Sequence, residues 1–308
     1  MNKFYYTLFG LTVCSEQAFA ELIEIDPIQS ADVNIIFTSV NAPQGIDDQS
    51  RKMIQRVRKN YYYIQVGEFA RILAEHQEST TVYIDVHDEE KMSIIKSWLF
   101  GSVFTAVLQM NNRFALHASA VKTSDGVVLF CGVSGIGKST IATRLNNKGF
   151  DIVTDDKAVL SLGEDDKLYI EPSIQITRLW EDSLDKLEDD SFMENPESVE
   201  LKDKKFQYLI KQENRILKPL QVKSIYIIRR VVETGKLRIN PLQGNRLHQQ
   251  LRNQIHRMNF VRLLSKQKEH WQFLQVVASR IPVAVFQRPE GTTHEDFTSF
   301  VAQEIGDK

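Results

Sequence analysis

Val33, Ile35 and Phe37 recur at every second position, the period of a strand with one buried face, and the turn-rich stretch Asn41–Asp48 follows them. The runs Tyr61–Val66 and Thr80–Val86 predict two further strands, with a short helical piece near Phe69–Ala74 between them. From Glu89 to Met110 the spacing becomes helical: Ile94, Ile95, Trp98, Leu99, Val103, Val107 and Met110 share one stripe. Asp88, Glu89 and Glu90 suit the positive N-terminal end of that helix. The apolar stripe is most simply core.

The pattern shifts after Phe114. Ala115–Val121 and Val127–Cys131 read as two short strands around Thr123-Ser124-Asp125-Gly126, a hairpin turn. A helix is expected from about Lys138 to Lys148, closed by Gly149, and Phe150–Thr154 is a strand leading into Asp155-Asp156. Strands are predicted at Leu168–Ile170, Val222–Ile228, Leu237–Ile239 and Val283–Gln287, and helices at Asn245–Leu264 and His270–Arg280. The piece from Glu181 to Glu200 carries nine acidic residues and one Lys and reads as a solvated surface loop. Two domains are expected: an α+β domain over 1–112 and an α/β domain over 113–308.

Composition narrows the field. The chain has 308 residues, of which 42 % are hydrophobic and 25 % charged, as in an ordinary globular protein. A net charge of −2 gives no general pull toward nucleic acid or an anionic membrane. The cysteines, Cys14 and Cys131, form no CxxC pair and read as buried thiols in a reducing compartment. The histidines are scattered without metal-ligand spacing, so any metal is expected to be magnesium arriving with phosphates. At the N-terminus, Lys3, the apolar run Phe4–Cys14 and Ala18-Phe19-Ala20 imitate a secretory leader. Tyr5, Tyr6, Thr7 and Glu16 argue instead for a first strand followed by a turn. No stretch approaches the ~20 uninterrupted apolar residues of a membrane span, and a cytoplasmic location is expected.

The strongest chemical signal is Gly132-Val133-Ser134-Gly135-Ile136-Gly137-Lys138-Ser139, followed by Thr140. It fits G-x-x-x-x-G-K-[ST] between a predicted strand and a predicted helix, the context that pattern requires. Gly132, Gly135 and Gly137 let the backbone curl so that successive N–H groups can cradle phosphate oxygens. The helix start near Lys138 adds its positive dipole end. Lys138 supplies a mobile charge for β- and γ-phosphates, and Ser139 offers a hydroxyl to Mg²⁺. The residues choose no nucleotide: ATP, GTP and pyrophosphate all fit.

Asp155-Asp156, after an apolar strand expected beside the loop's own, sits where a carboxylate holds Mg²⁺ in such sites. One of the pair can take a proton from an attacking hydroxyl while the other helps the metal, and the residues themselves do not assign the roles. Register supplies a third signal. If the hairpin turns at Ser124-Asp125, antiparallel pairing carries His117 opposite Gly132, to the mouth of the loop.

The stretch LHASAV…GVSGIGKST…GFDIVTDD resembles the catalytic domain of the HPr kinase/phosphorylase family, in which a His precedes the loop and an Asp pair follows it. Here His117 lies 15 residues before Gly132, and Asp155 lies 17 after Lys138. Ile174–Trp180, Lys218–Leu220 and Asn240–Leu242 are reminiscent of HPr-kinase-related proteins that modify ribosomally made peptides, including lasso-peptide kinases. The resemblance implies a P-loop domain of the HPr kinase and phosphoenolpyruvate carboxykinase type behind an N-terminal α+β domain that helps hold the acceptor. It implies Asp155 as general base, His117 and Lys138 at the phosphates, and Ser139 at Mg²⁺, which leaves Asp156 as the candidate to help the metal or the proton transfer. Glu171 is the candidate for a further metal carboxylate. It also implies a homo-oligomer. Arg178, Lys204, Lys205, Arg252 and Arg257 are the cations near predicted loops or helix starts, and Arg252 is the first choice for neutralising charge on the transferred group.

The expectation is therefore an ATP- and Mg²⁺-dependent kinase acting on a serine-type hydroxyl of a peptide or small protein. A nucleotide-driven switch ATPase and a small-molecule hydroxyl kinase are the competing classes.

Overall fold

The computed structural model describes residues 3–46, 52–174, 176–180, 199–201, 205–209, 216–232 and 235–306, with the side chains of 175–215 excepted. The acidic stretch 181–198 lies outside the described residues. The chain divides into two compact units, Met1–Phe114 with Arg257–His270, and Ala115–His256 with Trp271–Lys308. Residues 257–270 thus belong to the first unit, whereas the division read from the sequence puts everything beyond 112 in the second.

The first unit is built on an eight-stranded sheet. Its strands are β1 (Phe4–Leu8), β2 (Leu11–Ser15), β3 (Ile23–Glu24), β4 (Val33–Phe37), β5 (Ile54–Arg58), β6 (Tyr61–Val66), β7 (Ala70–His76) and β8 (Thr80–Val86), in spatial order 3-1-2-4-8-7-6-5. The apolar run that imitates a leader is the β1–β2 hairpin, turned at Phe9-Gly10, both with positive φ. The helical piece expected near Phe69–Ala74 is instead β7. Ala70, Ile72 and Ala74 are buried and the residues between them half-buried, a period of two that outweighs helix propensity once β6 and β8 flank the segment.

The helical pattern of 89–110 is one continuous rod. Asp88 caps it by accepting from the N–H of Glu90 at 3.0 Å, α1 (Met92–Trp98) follows a 3₁₀ turn, and a π-helical turn at Leu99–Val103 leads into α2 (Phe104–Met110). Every residue of α2 is buried. Among the described residues this is the one helix long and apolar enough to cross a membrane, and 61 % of its most apolar window is buried within the protein. The short helix Met258–Leu263 closes the unit, setting Phe260 5.6 Å from the fully buried ring of Tyr62, whose hydroxyl burial pushes up to about 12.

The second unit is a mixed α/β structure. Its strands are β9 (Ala115–Thr123), β10 (Gly126–Cys131), β11 (Ile152–Leu162), β12 (Leu168–Ile170), a small separate sheet of β13 (Ile176–Trp180), β14 (Val199–Leu201) and β15 (Lys205–Leu209), then β16 (Leu220–Val231), β17 (Arg238–Pro241) and β18 (Val283–Pro289). The main sheet runs 10-9-11-12-16-18-17, and β10 also pairs in parallel with β16. With neighbours on both edges, β10 is an unbroken apolar strand, Val127 to Cys131 all buried. Helix α3 (Lys138–Asn146) and α7 (His294–Ile305) cover one face, joining Val128, Phe130, Ile141, Leu145, Phe286, Phe297 and Val301 in a single core. The start of α7 is fixed by Thr293, whose hydroxyl oxygen accepts from the N–H of Asp296 at 3.0 Å.

The helix expected over Asn245–Leu264 is two helices, α4 (Gly244–Arg252) and α5 (Met258–Leu263). Between them the chain leaves helical geometry, Ile255 bridges to Leu116 of β9, and Arg257 takes a left-handed conformation at φ 53°. The continuous pattern of Leu247, Leu251 and Ile255 hides this break, because Ile255 is buried as a bridge residue and not on a helix face. Helix α6 (Gln267–Arg280) precedes β18.

Candidate functional site

Directly after β10 the chain turns through Gly132, Gly135 and Gly137, with φ of 146°, 78° and 105°. A Cβ on Gly132 would stand 3.0 Å from the carbonyl oxygen of Ile228, so that position is closed to a side chain by space as well as by conformation. Helix α3 then starts at Lys138 with Gly137 as its left-handed N-cap. Lys138 is only 7 % exposed, and its Nζ donates to the carbonyls of Gly132 at 2.9 Å and Val133 at 3.3 Å. The amine therefore lies folded back across the mouth of its own loop.

Ser139, one residue into the helix, donates from Oγ to Asp155 Oδ1 at 2.9 Å. The same carboxylate oxygen accepts from Ser119 Oγ at 2.5 Å. Ser119 carries no motif of its own in the sequence, although it stands two residues from His117 on β9 and so shares its face. His117 follows the expected register: Cys131 pairs with Ala118, which sets His117 beside Gly132.

The carboxylate pair departs from expectation in two ways. First, β11 does not end at Asp155-Asp156 but runs through them to Leu162. Second, β11 is antiparallel to β9 and lies two strands from β10, with β9 between. The carboxylates reach the loop across β9, not from the edge of an adjacent parallel strand. Alternation along a strand would turn Asp155 and Asp156 to opposite faces. Asp156 instead has φ 101°, a left-handed conformation rare outside glycine, and its carboxylate swings to the face that Asp155 occupies. There Asp156 Oδ1 lies 3.2 Å from His117 Nδ1, which is also 3.2 Å from the Asp156 carbonyl.

A residue that sequence missed completes the group. His256 Nε2 is 3.9 Å from Asp156 Oδ1, and its ring stands 5.7 Å from that of His117. Its position is fixed by backbone pairing with the start of β9: the N–H of His256 donates to Ala115 at 2.8 Å and that of His117 to Gln254 at 2.7 Å. No local motif announces His256, because the contact depends on the break between α4 and α5.

Other expected residues stay apart. The N–H of Glu171 donates to Val159, and its carboxylate accepts from the hydroxyl of Ser161, which stands five residues along β11 from Asp156. At about 3.3 Å per residue that is roughly 16 Å away, which removes Glu171 from the metal set. Arg252 is an exposed residue at the end of α4 and makes no ion pair among the described residues. Arg257 lies over the Phe260 ring in the first unit. The side chains of Arg178, Lys204 and Lys205 lie outside the described residues.

The oxygen donors Ser139 Oγ and Asp155, already within 2.9 Å, are hard ligands of the kind Mg²⁺ takes. Cys131, at the end of β10, is fully buried, and its thiol is pushed up to about 12 by burial, so it offers neither a nucleophile nor a ligand.

No protein-family model and no curated protein matches the chain. Among solved structures it is similar to the Hpr(Ser) kinase/phosphatase from Coxiella burnetii at 12 % identity, over 62 % of this chain and 95 % of that one, with a TM-score of 0.32. With so low a score, the functional reading stands on the site itself.

Proposed function

We propose that the second unit is a P-loop phosphotransferase that moves the γ-phosphoryl group of ATP to a serine-type hydroxyl. One observation carries this reading: a glycine-turned loop opening a helix, with the hydroxyl of Ser139 bonded to one carboxylate and a second carboxylate beside a histidine on the same face. Loop amides and the α3 N-terminus would hold the polyphosphate through Gly132–Thr140, and Lys138 would swing from its carbonyls to the phosphates. Ser139 and Asp155 would hold Mg²⁺, which supplies charge neutralisation at the phosphates.

That division reverses the roles implied by resemblance. Asp155 touches the loop hydroxyl and goes with the metal; Asp156, next to His117, faces the acceptor. In the transfer, the acceptor oxygen bonds to the γ-phosphorus, the bond from that phosphorus to the β,γ-bridging oxygen breaks, and the hydroxyl proton passes to the Asp156 carboxylate. ADP leaves with the bridging oxygen's charge.

The acceptor proposed is a ribosomally made peptide of the lasso type, or a small protein, bearing the serine. The first unit would hold it, the protein acting in the cytoplasm as a homo-oligomer and without nucleic acid or membrane. The stretches Ile174–Trp180, Lys218–Leu220 and Asn240–Leu242, reminiscent of HPr-kinase-related proteins that modify ribosomally made peptides, support this finer reading. The test is incubation with γ-labelled ATP, Mg²⁺ and serine peptides. Label on a peptide hydroxyl, lost in Asp156→Asn, is the expected result; label released only as free phosphate would leave a switch ATPase in its place.

A further inference from the structure

His117, Asp156 and His256 each offer one ligand atom, and the three atoms lie within 4.8 Å of one another. Two imidazoles and a carboxylate are a poor set for Mg²⁺, which prefers oxygen, and a good one for a first-row transition-metal dication. The Ser139–Asp155 pair is of the opposite kind. Neighbouring residues on one strand thus point into two environments of different ligand chemistry.

The group is also held from outside itself. The His256 segment is pinned to β9 by the backbone bonds of His256 and His117 and by the Leu116–Ile255 bridge, so the two histidines are brought side by side by main-chain pairing. Asp156 joins them only through a left-handed conformation that costs of order 1–3 kcal/mol, the kind of backbone outlier that concentrates at functional sites. An isolated surface aspartate has no reason to keep it.

We propose that His117, Asp156 and His256 form a binding site for one divalent transition-metal ion, separate from the magnesium of the nucleotide. Two ligands at about 2.1 Å from a tetrahedral ion stand roughly 3.4 Å apart. The Asp156–His117 separation of 3.2 Å already meets that, and the 3.9 Å from Asp156 to His256 needs only a small closing movement. With three protein ligands the ion keeps an open position, as an exchangeable site does. The ion needs the carboxylate lone pairs that the transfer reaction uses to take a proton, so a bound transition metal and phosphotransfer compete for Asp156. That consequence rests on the proposed function; the site itself does not.

The test is a Co²⁺ titration of chelator-treated, nucleotide-free full-length protein, read by visible d–d absorption and by equilibrium dialysis. One equivalent is expected, displaced by Zn²⁺. Loss of an outer partner of a metal ligand weakens binding about 10- to 100-fold, so His117→Ala and His256→Ala, which remove ligands, should each weaken it at least ~100-fold. His256→Gln, which keeps the side chain's bulk, should do the same, and its thermal melt without metal reports whether the fold survives. Lys138→Ala, which disables the loop, should bind Co²⁺ as the wild type does. The proposal is overturned by the absence of a stoichiometric site, by unchanged binding in well-folded His256→Gln, or by loss of binding in Lys138→Ala. The last two would place the ion elsewhere, and none of these outcomes depends on whether transfer occurs.

Discussion

Asp155 and Asp156 are consecutive on β11, yet both carboxylates reach the same face of β9, one at Ser119 and the other at His117. A regular strand cannot do this. The left-handed residue at 156 is therefore what brings the two carboxylates to one face, and its consequences can be measured.

Asp156→Gly should remove the conformational cost and the carboxylate together. Urea unfolding is expected to show a gain of about 1 kcal/mol, with phosphotransfer lost. Asp156→Ala should lose transfer as well but gain no stability, since alanine meets the same steric penalty. Equal stabilities for the glycine and alanine variants would remove the argument from strain.

The two aspartates should separate kinetically. Asp155→Asn is expected to weaken Mg²⁺-dependent nucleotide binding, raising the Mg²⁺ concentration needed for half-maximal binding. Asp156→Asn should leave that binding near wild type and reduce kcat by about 10²–10⁴, the usual scale of general-base loss. Calorimetry with Mg²⁺-ATP, run beside initial rates, checks both. The opposite pattern would restore Asp155 as the base.

Lys138→Met keeps much of the side-chain volume while removing the charge that ties the loop carbonyls and is proposed to meet the phosphates. A fall in kcat/KM of about 10²–10³ is expected, comparable to losing one donor to transition-state charge. Wild-type turnover would end the assignment of this loop.

Cys131 gives a pH prediction. Its thiol is held near 12 when folded, so it stays protonated where the unfolded thiol, with an ordinary value of about 8.5, ionises. The unfolded state then binds fewer protons, and this contribution to stability, full below about pH 8.5, is lost as pH rises toward 12. A disulfide-exchange reagent at pH 8 should leave Cys131 unmodified until denaturant is added. Because the proposed transfer uses neither of these buried thiols, replacing Cys14 and Cys131 together by serine should leave most of the activity of the folded fraction.

Gly132→Ala should be the most damaging of the loop glycine changes for folding. It meets both a positive φ and the Ile228 carbonyl at 3.0 Å, whereas Gly135 and Gly137 open onto free space. Thermal melts should rank Gly132→Ala below Gly135→Ala and Gly137→Ala.

Much of this architecture is legible in the sequence where one rule acts alone. The β9–β10 hairpin follows from a turn signal between two apolar runs, and it carries His117 to the loop as expected. The rod at 89–110 follows from its stripe. What escaped needed knowledge of neighbours. β7 reads as helix until β6 and β8 flank it, and α7 has no place in the sequence reading although Thr293 and Asp296 mark its start. Asp156 joins the site through a backbone angle, and His256 through a bridge formed only after a helix breaks. Glu171 enters only through the resemblance and is held elsewhere by Ser161.

The polypeptide passes between its two units at 114, 256 and 270, so neither can be released by a single cut. A fragment ending at residue 114 would lack Phe260, exposing the Tyr62 ring to water, and a fragment beginning at 115 would carry residues 257–270 as an orphaned insert. Anyone wishing to express the halves separately must transplant that short loop of chain from one to the other.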